Sequence, residues 1–248
     1  MIDNPATTDF GFRTVPRAAK TALVGQVFAS VAPRYDVMND LMSLGIHRLW
    51  KRRFVTLLNP RPAVRLLDLA GGTGDISLAW QAAGGGPVLL CDISPAMIEV
   101  ARRRAVARAA LSGLSFVVAD AERLPLPDRC THTVSIAFGL RNCTDKAAVL
   151  AEARRVLRPG GRFFCLEFSR LEIAALMPLY EAWSFRMLPA LGRVVAADAA
   201  SYRYLAESIR TFPDAETLAD MLGKAGFARV GVERLSGGIA AIHSGWRL

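Results

Sequence analysis

A short glycine-rich segment is the clearest sign of chemistry in this 248-residue sequence. An apolar run reaches Asp68, and Gly72, Thr73 and Gly74 follow it at the start of an apolar-periodic segment. Glycines let a ligand approach the backbone closely, and the first amides of a helix are free to donate hydrogen bonds. Residues 68–74 are therefore predicted to bind a polar ligand, with Asp68 either touching that ligand or bonding the loop amides.

Two cofactors compete for this turn, a dinucleotide and S-adenosylmethionine. The dinucleotide fingerprint has a third glycine three residues after Gly74, where this chain has Ser77. Asp92 comes 18 residues after Gly74 (92 − 74), near the roughly 20-residue spacing of an acid that binds ribose hydroxyls. Such an acid suits either cofactor. The missing glycine therefore weakens the dinucleotide reading and favours S-adenosylmethionine.

Two further strand ends offer groups to the same ligand. Asp120 and Ala121 follow a third predicted strand, a position suited to the amino edge of an adenine ring. Ala137 lies near the end of a fourth strand, where the backbone can line the same pocket. The alternative is a tight turn without a ligand and a helix cap at Asp92, and four coincident strand ends disfavour it.

The elements that must position these residues alternate between strand and helix. Strands are predicted at residues 64–70, 87–92, 114–119, 131–138 and 162–168, with helices after the first, second and fourth of them. This alternation predicts an α/β fold with a doubly wound, mostly parallel sheet, whose ligands lie at the carboxyl ends of the strands. Residues 227–235 and 239–246 predict a closing antiparallel hairpin, which brings the sheet to seven strands.

The charge of the chain limits the classes of partner that it is expected to bind. Lys and Arg number 31 and Asp and Glu 22, so the net charge of +9 favours nucleic acid, an acidic membrane surface or an anionic ligand. An arginine-rich composition without functional meaning is the alternative.

The longest uncharged stretch, 76–91, is shorter than the ~18 apolar residues of a membrane span, and no secretory pattern opens the chain. A cytoplasmic protein is expected. The four cysteines lack C-x-x-C pairing, so no metal site is expected.

Seven segments together resemble the ubiquinone/menaquinone biosynthesis C-methyltransferases over nearly the whole chain beyond about residue 10. They are VFASVAPRYDVMNDLMSLGIHRLWK (27–51), LLDLAGGTGDI (66–76), DAERLPLPD (120–128), IAFGLRNCTD (136–145), RVLRPGGRFFCLEFS (155–169), ASYRYLAESIRTFPD (200–214) and GGIAAIHSGW (237–246). The resemblance implies methyl transfer from S-adenosylmethionine to a ring carbon of a polyprenylated benzoquinol or naphthoquinol. Family cofactor contacts fall on Thr73, Asp92, Asp120 and Ala121. At Ala137 the family commonly has a serine, so only a backbone contact is expected there.

Together these observations divide the chain into three parts. Residues 1–18 are expected to be a flexible N-terminus and residues 19–58 a helical cap. Residues 59–248 are expected to form a Rossmann-like class I methyltransferase domain with a helical substrate lid at about 171–212. The apolar stretch 171–191 within the lid is a candidate lining for an isoprenoid tail, and ordinary core helices are the alternative.

Three residues are candidates for the catalytic step. A quinol ring carbon is a weak nucleophile until the neighbouring hydroxyl loses a proton, and a fixed positive charge favours that loss. Arg141, just after the fourth strand, is expected to stabilise the phenolate, and Asn142 to hydrogen-bond a ring oxygen. A solvated arginine or a structural ion pair is the alternative for Arg141. Tyr35 is expected either to meet the quinol head or to pack in the core, and His243 is a secondary candidate for a general base, with a core histidine favoured.

Several partners follow from this interpretation. The substrate is expected to carry a lipid tail, and the enzyme to touch an anionic membrane surface transiently at the inner face of the membrane. The arginines of one helix are a candidate contact, although a solvated helix face is the simpler explanation: Arg102, Arg103, Arg104 and Arg108. A homodimer or a quinone-biosynthesis complex is a further expectation. Nucleic acid is not expected, because Ala137 to Asn142 lack the proline-rich loop of base methyltransferases. The open alternatives are another class I methyltransferase and a non-catalytic subunit.

Overall fold

Short strands and amphipathic helices alternate through the middle of the chain, as the apolar pattern predicts. The computed structural model describes residues 6–31, 40, 43–171 and 199–248. Its strands are β1 (Thr7–Phe10), β2 (Arg13–Pro16), β3 (Leu66–Leu69), β4 (Val88–Asp92), β5 (Leu114–Val118), β6 (Thr131–Ala137), β7 (Leu157–Phe168), β8 (Ala228–Leu235) and β9 (Ala240–Trp246). Its helices are α1 (Arg17–Val31), α2 (His47–Leu58), α3 (Asp75–Ala82), α4 (Pro95–Ala107), α5 (Lys146–Val156), α6 (Ala199–Thr211) and α7 (Ala215–Lys224).

A seven-stranded sheet forms the centre of the fold, in the order β5-β4-β3-β6-β7-β9-β8. The five strands from β5 to β7 pair in parallel, and β9 pairs antiparallel with both β7 and β8. The order reverses at β3, where one half of the sheet is wound toward β5 and the other toward β7. The predicted doubly wound, mostly parallel sheet of seven strands is confirmed.

Apolar side chains on the two faces of the sheet pack into two separate cores. One core contains side chains of α2, α3 and α4, with Phe54 and Trp80 fully buried at its centre. The other packs α5 and α7 against the opposite face and contains Leu150, Phe163 and Leu218. Because β3 is buried on both faces, its side chains are apolar in both directions except at Asp68, which is 1 % exposed.

Helix starts follow the capping residues of the sequence. The hydroxyl of Ser94 accepts a hydrogen bond from the amide of Met97 at the start of α4, with Pro95 in the first turn. Asp145 caps α5 by accepting from the amide of Ala148. These caps fix the helix starts beside the carboxyl ends of β4 and β6, where ligands are expected.

The N-terminal residues differ from the expectation of a flexible segment over 1–18. Residues 7–16 form the hairpin β1–β2, and α1 begins at Arg17. Phe10 and Val15 are buried, and Gly11 turns the chain with φ = 60°. The amide of Phe12 donates to the carboxylate of Glu207 in α6. The hairpin is too short to be recognised from its own sequence, since long-range contacts stabilise it. Residues 172–198, most of the expected lid, lie outside the described residues, and α6 covers the lid's C-terminal part.

Candidate active site

A cavity opens at the carboxyl ends of the parallel strands, beside the point where the strand order reverses. It encloses about 770 Å³ of empty space, part of which is open to solvent. Its lining comes from the glycine turn, from the ends of β4, β5 and β6, and from α1: Ala70, Gly72, Asp92, Ile93, Asp120, Ala121, Phe138, Asn142, Thr21, Val24 and Gly25. A smaller neighbouring cavity shares Ala70, Gly72 and Phe138 with it. Four of the cofactor candidates and Asn142 therefore line one space, namely Gly72, Asp92, Asp120 and Ala121 with Asn142.

The glycine turn is held in place by Asp92. The amide of Gly72 donates to Oδ2 of Asp92 at 2.8 Å, and the amide of Ser94 donates to Oδ1 at 2.8 Å. Burial raises the pKa of Asp92, while these two N–H donors oppose that rise. A carboxylate accepts about four hydrogen bonds, so Asp92 retains acceptor capacity for a ligand in the cavity. Gly72 adopts φ = 54°, a conformation that favours glycine.

Gly74 has a different role from Gly72. It is the N-cap of α3 with φ = 84°, and an added Cβ would meet Ala101 Cβ and Leu90 Cδ1 at 3.3 Å. Gly74 lines neither cavity. Its place in the motif follows from the close packing of the turn against α4, and a ligand is not needed to explain it.

Asp68 lies directly beneath the turn. Its carboxylate accepts hydrogen bonds from Ser77 Oγ at 2.6 Å and from Ser135 Oγ at 2.7 Å. Burial raises its pKa to about 6, although the two hydroxyl donors act in the opposite direction. Asp68 therefore ties β3 to α3 and β6, and it also contributes to the wall of the smaller cavity. Ser77, which replaces the third glycine of a dinucleotide motif, is part of this contact.

Thr73 faces α4. Its hydroxyl accepts from Arg104 Nη1 at 2.6 Å, and Arg104 also bonds Asp75 at 2.7 Å. Lys51 of α2 donates to the other oxygen of Asp75. Arg104 is thus part of the turn and does not belong to a solvated helix face, unlike the exposed Arg102 and its neighbours. Thr73 lines the smaller cavity, as Ala137 does.

The segment after β6 bends sharply. Phe138 adopts φ = 56°, a rare conformation for a bulky side chain, and a short 3-10 turn follows at Leu140–Asn142. Gly139 lies against β3, since an added Cβ would be 2.5 Å from Ala70 Cβ. The Phe138 ring packs between Trp50 and Phe168, with ring centroids 6.3 Å and 4.8 Å away. This bend turns Asn142 toward the cavity.

Arg141 lies behind the cavity wall. It is 3 % exposed, and its Nη1 donates to Oε2 of Glu167 at 2.9 Å and to the carbonyl of Phe138 at 2.6 Å. The amide of Arg141 donates to Oε1 of the same Glu167. Arg141 is absent from the lining of both cavities, whereas Asn142 lines the larger one. Arg141 therefore forms a buried ion pair that secures the bend. Tyr35, the third catalytic candidate, lies outside the described residues.

Two neighbours of the site are not among the candidates from the sequence. Glu167, near the end of β7, is the partner of Arg141, and Tyr204 of α6 donates its hydroxyl to Oδ1 of Asn142 at 3.1 Å. Both fall inside segments that carry the family resemblance. A charged residue near the end of a buried strand is the signal that could have identified Glu167. The contact of Tyr204 joins elements 62 residues apart and leaves no local pattern.

The histidines have structural partners away from the cavity. Nε2 of His243 lies 2.8 Å from the carbonyl of Ala215, and burial lowers the pKa of this histidine. His47 contacts Ser43, and His132 accepts from the amide of Arg65. The favoured interpretation of His243 as a core histidine agrees with these contacts. Within the described ranges there is no cluster of three metal-ligating side chains, and no helix is long and apolar enough to cross a bilayer.

Comparison with known proteins identifies the family. Residues 16–247 match the model of the ubiE/COQ5 methyltransferase family. The chain belongs to this family. A relative from Acidiphilium cryptum, the ubiquinone/menaquinone biosynthesis C-methyltransferase UbiE, is 69 % identical over 98 % of this chain and 97 % of its own length. The protein of the same name from a Bradyrhizobium species is 53 % identical over the full length of both chains. The predicted family is therefore confirmed, and this family member is a methyltransferase.

Solved structures confirm the fold class. A SAM-dependent methyltransferase from Thermotoga maritima, described as a possible histamine N-methyltransferase, superposes with a TM-score of 0.65 at 20 % identity. The match covers 90 % of this chain and 99 % of that one. A phosphoethanolamine N-methyltransferase from Haemonchus contortus, solved with S-adenosyl-L-methionine, gives 0.59 at 13 % identity over 80 % and 52 % of the two chains. At these identities the likeness concerns the Rossmann-like architecture.

Proposed function

We propose that this family member transfers the methyl group of S-adenosylmethionine to a ring carbon of a polyprenylated quinol. The acceptors are 2-methoxy-6-polyprenyl-1,4-benzoquinol in ubiquinone biosynthesis, demethylmenaquinol on the route to menaquinol, or both. The relatives that match the full length carry this activity in their names. The structural observation in support is one cavity that runs from Gly72, Asp92 and Asp120 to Asn142.

The residues at the strand ends fit S-adenosylmethionine. Asp92 keeps acceptor capacity for ribose hydroxyls, and Gly72 leaves the turn without a side chain on that side. Val24, Ile93 and Met97 give the cavity an apolar surface that suits a purine ring, with Asp120 and Ala121 at its edge. When bound, the cofactor supplies a methyl group made electrophilic by a sulfonium. The first task of the protein is to orient this group toward the acceptor and to exclude water.

Asn142 is the residue best placed to act on the quinol. Its side chain faces the cavity, and an amide N–H donor stabilises negative charge that develops on a ring oxygen. A hydrogen bond to the ionised phenol favours its ionised form, which raises electron density at the neighbouring ring carbon. Asn142 thus lowers the barrier by binding the phenolate more tightly than the phenol.

Arg141 supports this step indirectly, from its position behind the cavity wall. Because Glu167 already neutralises its charge, the guanidinium is proposed to hold the bend at Phe138 and thereby to place Asn142. Because Arg141 lines neither cavity, direct contact with the phenolate, as proposed from the sequence, requires its side chain to move. Tyr35 stays a proposal as a contact to the quinol head.

The assay that tests the function offers both acceptors side by side. Purified protein with labelled S-adenosylmethionine is expected to methylate a reduced demethylated benzoquinol, a reduced demethylated naphthoquinol, or both, in detergent micelles. Asn142→Ala is expected to lower turnover by at least tenfold while S-adenosylmethionine still binds. If wild-type protein binds the cofactor but labels neither quinol, the proposed activity is wrong.

A lipid-tailed substrate requires contact with a bilayer, and one surface of α2 suits it. Leu44, Ile46 and Leu49 are 68, 39 and 61 % exposed around the start of this helix. Arg52 is exposed beside them, Arg48 is exposed but paired with Asp40 at 2.6 Å, and the whole chain carries +9. Apolar side chains can enter the lipid interface while arginines attract anionic headgroups. We propose this surface as the contact of a cytoplasmic enzyme with an anionic membrane. A homodimer or a quinone-biosynthesis complex is a separate proposal, which sedimentation of the purified protein tests.

A further inference from the structure

The side-chain amide of Asn142 has two faces with opposite hydrogen-bonding character. Its Oδ1 accepts and its Nδ2 donates, so the rotation of this amide decides whether Asn142 can stabilise a phenolate. Oδ1 lies 3.1 Å from the hydroxyl of Tyr204, and Nδ2 lies 3.5 Å from the carbonyl of Phe138. Both contacts agree on one orientation of the amide, in which Oδ1 is occupied by Tyr204 and Nδ2 keeps a second hydrogen for another acceptor.

Tyr204 can only support this orientation as a donor. Burial raises the pKa of its phenol, so the hydroxyl stays protonated across the working range of a cytoplasmic enzyme. The side chain is 5 % exposed and stacks on Phe10 of the N-terminal hairpin, with ring centroids 4.2 Å apart and planes inclined by 22°. Its hydroxyl therefore has little freedom to leave Asn142. Tyr204 does not line the cavity.

We propose that Tyr204 is a positioning residue for methyl transfer, because its hydroxyl fixes the Asn142 amide with Nδ2 toward the substrate oxygen. This inference rests on the proposed function for its effect on turnover, but the hydrogen bond itself is independent of that function. The N-terminal hairpin takes part through Phe10, which stacks on the ring of Tyr204. A segment far from the strand ends thus helps to set the direction of one donor in the cavity.

Tyr204→Phe is the informative variant, because it removes the hydroxyl and keeps the ring that stacks on Phe10. We expect kcat to fall about tenfold, the effect of one hydrogen bond worth about 1.4 kcal/mol in the transition state, with an unchanged KM for the quinol. Ser208→Ala is the matched control, since Ser208 is a buried hydroxyl on the same helix that bonds the carbonyl of Leu205. Its kcat is expected to match wild type. Equal losses in the two variants would overturn the proposal.

A double-mutant cycle tests whether Tyr204 acts through Asn142. If it does, Tyr204→Phe changes kcat by less than twofold in the background of Asn142→Ala. A full tenfold loss in that background would mean that Tyr204 acts by another route, which contradicts the proposal.

A measurement without turnover separates this proposal from the proposed function. In ¹⁵N-labelled protein, the side-chain amide peaks of Asn142 are those that disappear in Asn142→Asp. We expect Tyr204→Phe to shift or broaden these peaks and Ser208→Ala to leave them in place. Unchanged peaks in Tyr204→Phe would refute the positioning role even if the enzyme methylates quinols. Shifted peaks in a protein that methylates neither quinol would refute the proposed function alone.

Discussion

The role of a single residue at this site depends on its neighbours more than on its own chemistry. Arg141 has the charge to stabilise a phenolate, yet its side chain and that of Glu167 are 2 % and 1 % exposed and face each other at 2.9 Å. Removing ions from water is costly, and only close pairing with further hydrogen bonds compensates for it. The bend that presents Asn142 therefore depends on both members of the pair.

Arg141→Ala is expected to lower the free energy of unfolding by about 3–5 kcal/mol, because it leaves the Glu167 carboxylate buried without a counter-ion. Urea denaturation followed by circular dichroism measures this loss. Adding Glu167→Gln to Arg141→Ala is expected to restore part of the stability, since the buried charge is then gone. Turnover is expected to stay low in this double variant, because the bend that places Asn142 has lost the contact of Arg141 with the Phe138 carbonyl. A stability loss under 1 kcal/mol in Arg141→Ala would contradict the buried pair.

The raised pKa of Asp68 predicts that the stability of the protein depends on pH. Its pKa is about 6 in the folded protein and 3.8 ordinarily, so the unfolded chain releases this proton at lower pH. The contribution of Asp68 to stability is complete below about pH 3.8 and is lost as the pH rises through about 6. Asp68→Asn removes this titration. Between pH 4 and pH 8, we expect the free energy of unfolding of the variant to rise relative to that of wild type by about 2 kcal/mol.

Urea denaturation of both proteins across this pH range measures the difference. Comparing the two cancels the opposite trend from His47, His132 and His243, whose pKa values are lowered. Stability curves that run parallel from pH 4 to pH 8 would show that Asp68 does not titrate in this window.

Whole secondary-structure elements form the floor and the cover of the cavity. The strands supply its floor, and α1 supplies Thr21, Val24 and Gly25 as its cover. Two contacts hold α1 and the hairpin beside it: Arg17 bonds Asp145 at 2.9 Å, and the buried Lys20 faces Asp9 at 3.6 Å. Gly25 leaves open space where another residue would place a Cβ. A glycine inside a helix costs stability, so its place over the cavity indicates a need for room.

Gly25→Ala tests whether α1 covers the cofactor. Alanine is expected to stabilise α1 by about 0.5–1 kcal/mol, while its methyl group enters the cavity and weakens S-adenosylmethionine binding at least fivefold. Gly223→Ala in α7 is the matched control, because an added Cβ there also meets no atom within 4 Å and lies away from the cavity. It should stabilise the protein without changing the cofactor Kd in isothermal titration. An unchanged Kd in Gly25→Ala would show that the cofactor lies elsewhere.

Elements were more predictable from the sequence than their contacts. Apolar runs and turn residues locate β3 to β9, because burial in a parallel sheet requires continuous apolar strands. The same logic places Asp92, Asp120 and Asn142 at one edge. The hairpin β1–β2 is missed, since Phe10 and Val15 are buried against distant elements. Likewise, the side chains of Arg141 and Arg104 find partners that lie 26 and 29 residues away, and no spacing rule reveals them.

At the scale of the whole molecule, the proposed membrane contact depends on the net charge of +9 and on three exposed apolar side chains near α2. Coulomb attraction to anionic lipids is long-ranged but screened by salt, whereas insertion of Leu44, Ile46 and Leu49 is short-ranged and insensitive to salt. Neither effect alone is expected to hold the protein at a bilayer. Their sum supports a contact that forms and breaks during turnover.

Vesicle sedimentation checks this surface. Leu44→Ser combined with Leu49→Ser is expected to weaken binding to phosphatidylglycerol-containing vesicles at least tenfold, because both leucines lose contact with lipid. Val106→Ser is the matched control, since Val106 is 58 % exposed on α4. Binding should also fall as salt rises from 50 to 500 mM. If the two leucine substitutions have no effect and Val106→Ser weakens binding, the arginine-rich face of α4 is the contact surface.

The cover of the cavity also determines the order in which the active site is assembled on the ribosome. The hairpin and α1 emerge before the strands of the seven-stranded sheet, but Asp145 follows Arg17 by 128 residues and Glu207 follows Phe12 by 195. Contacts over such distances close late, because the intervening chain must be made and ordered first. The strand ends that bind the cofactor can therefore form while the N-terminus is still free. The hairpin and α1 are therefore expected to reach their native place after strands that are synthesised later.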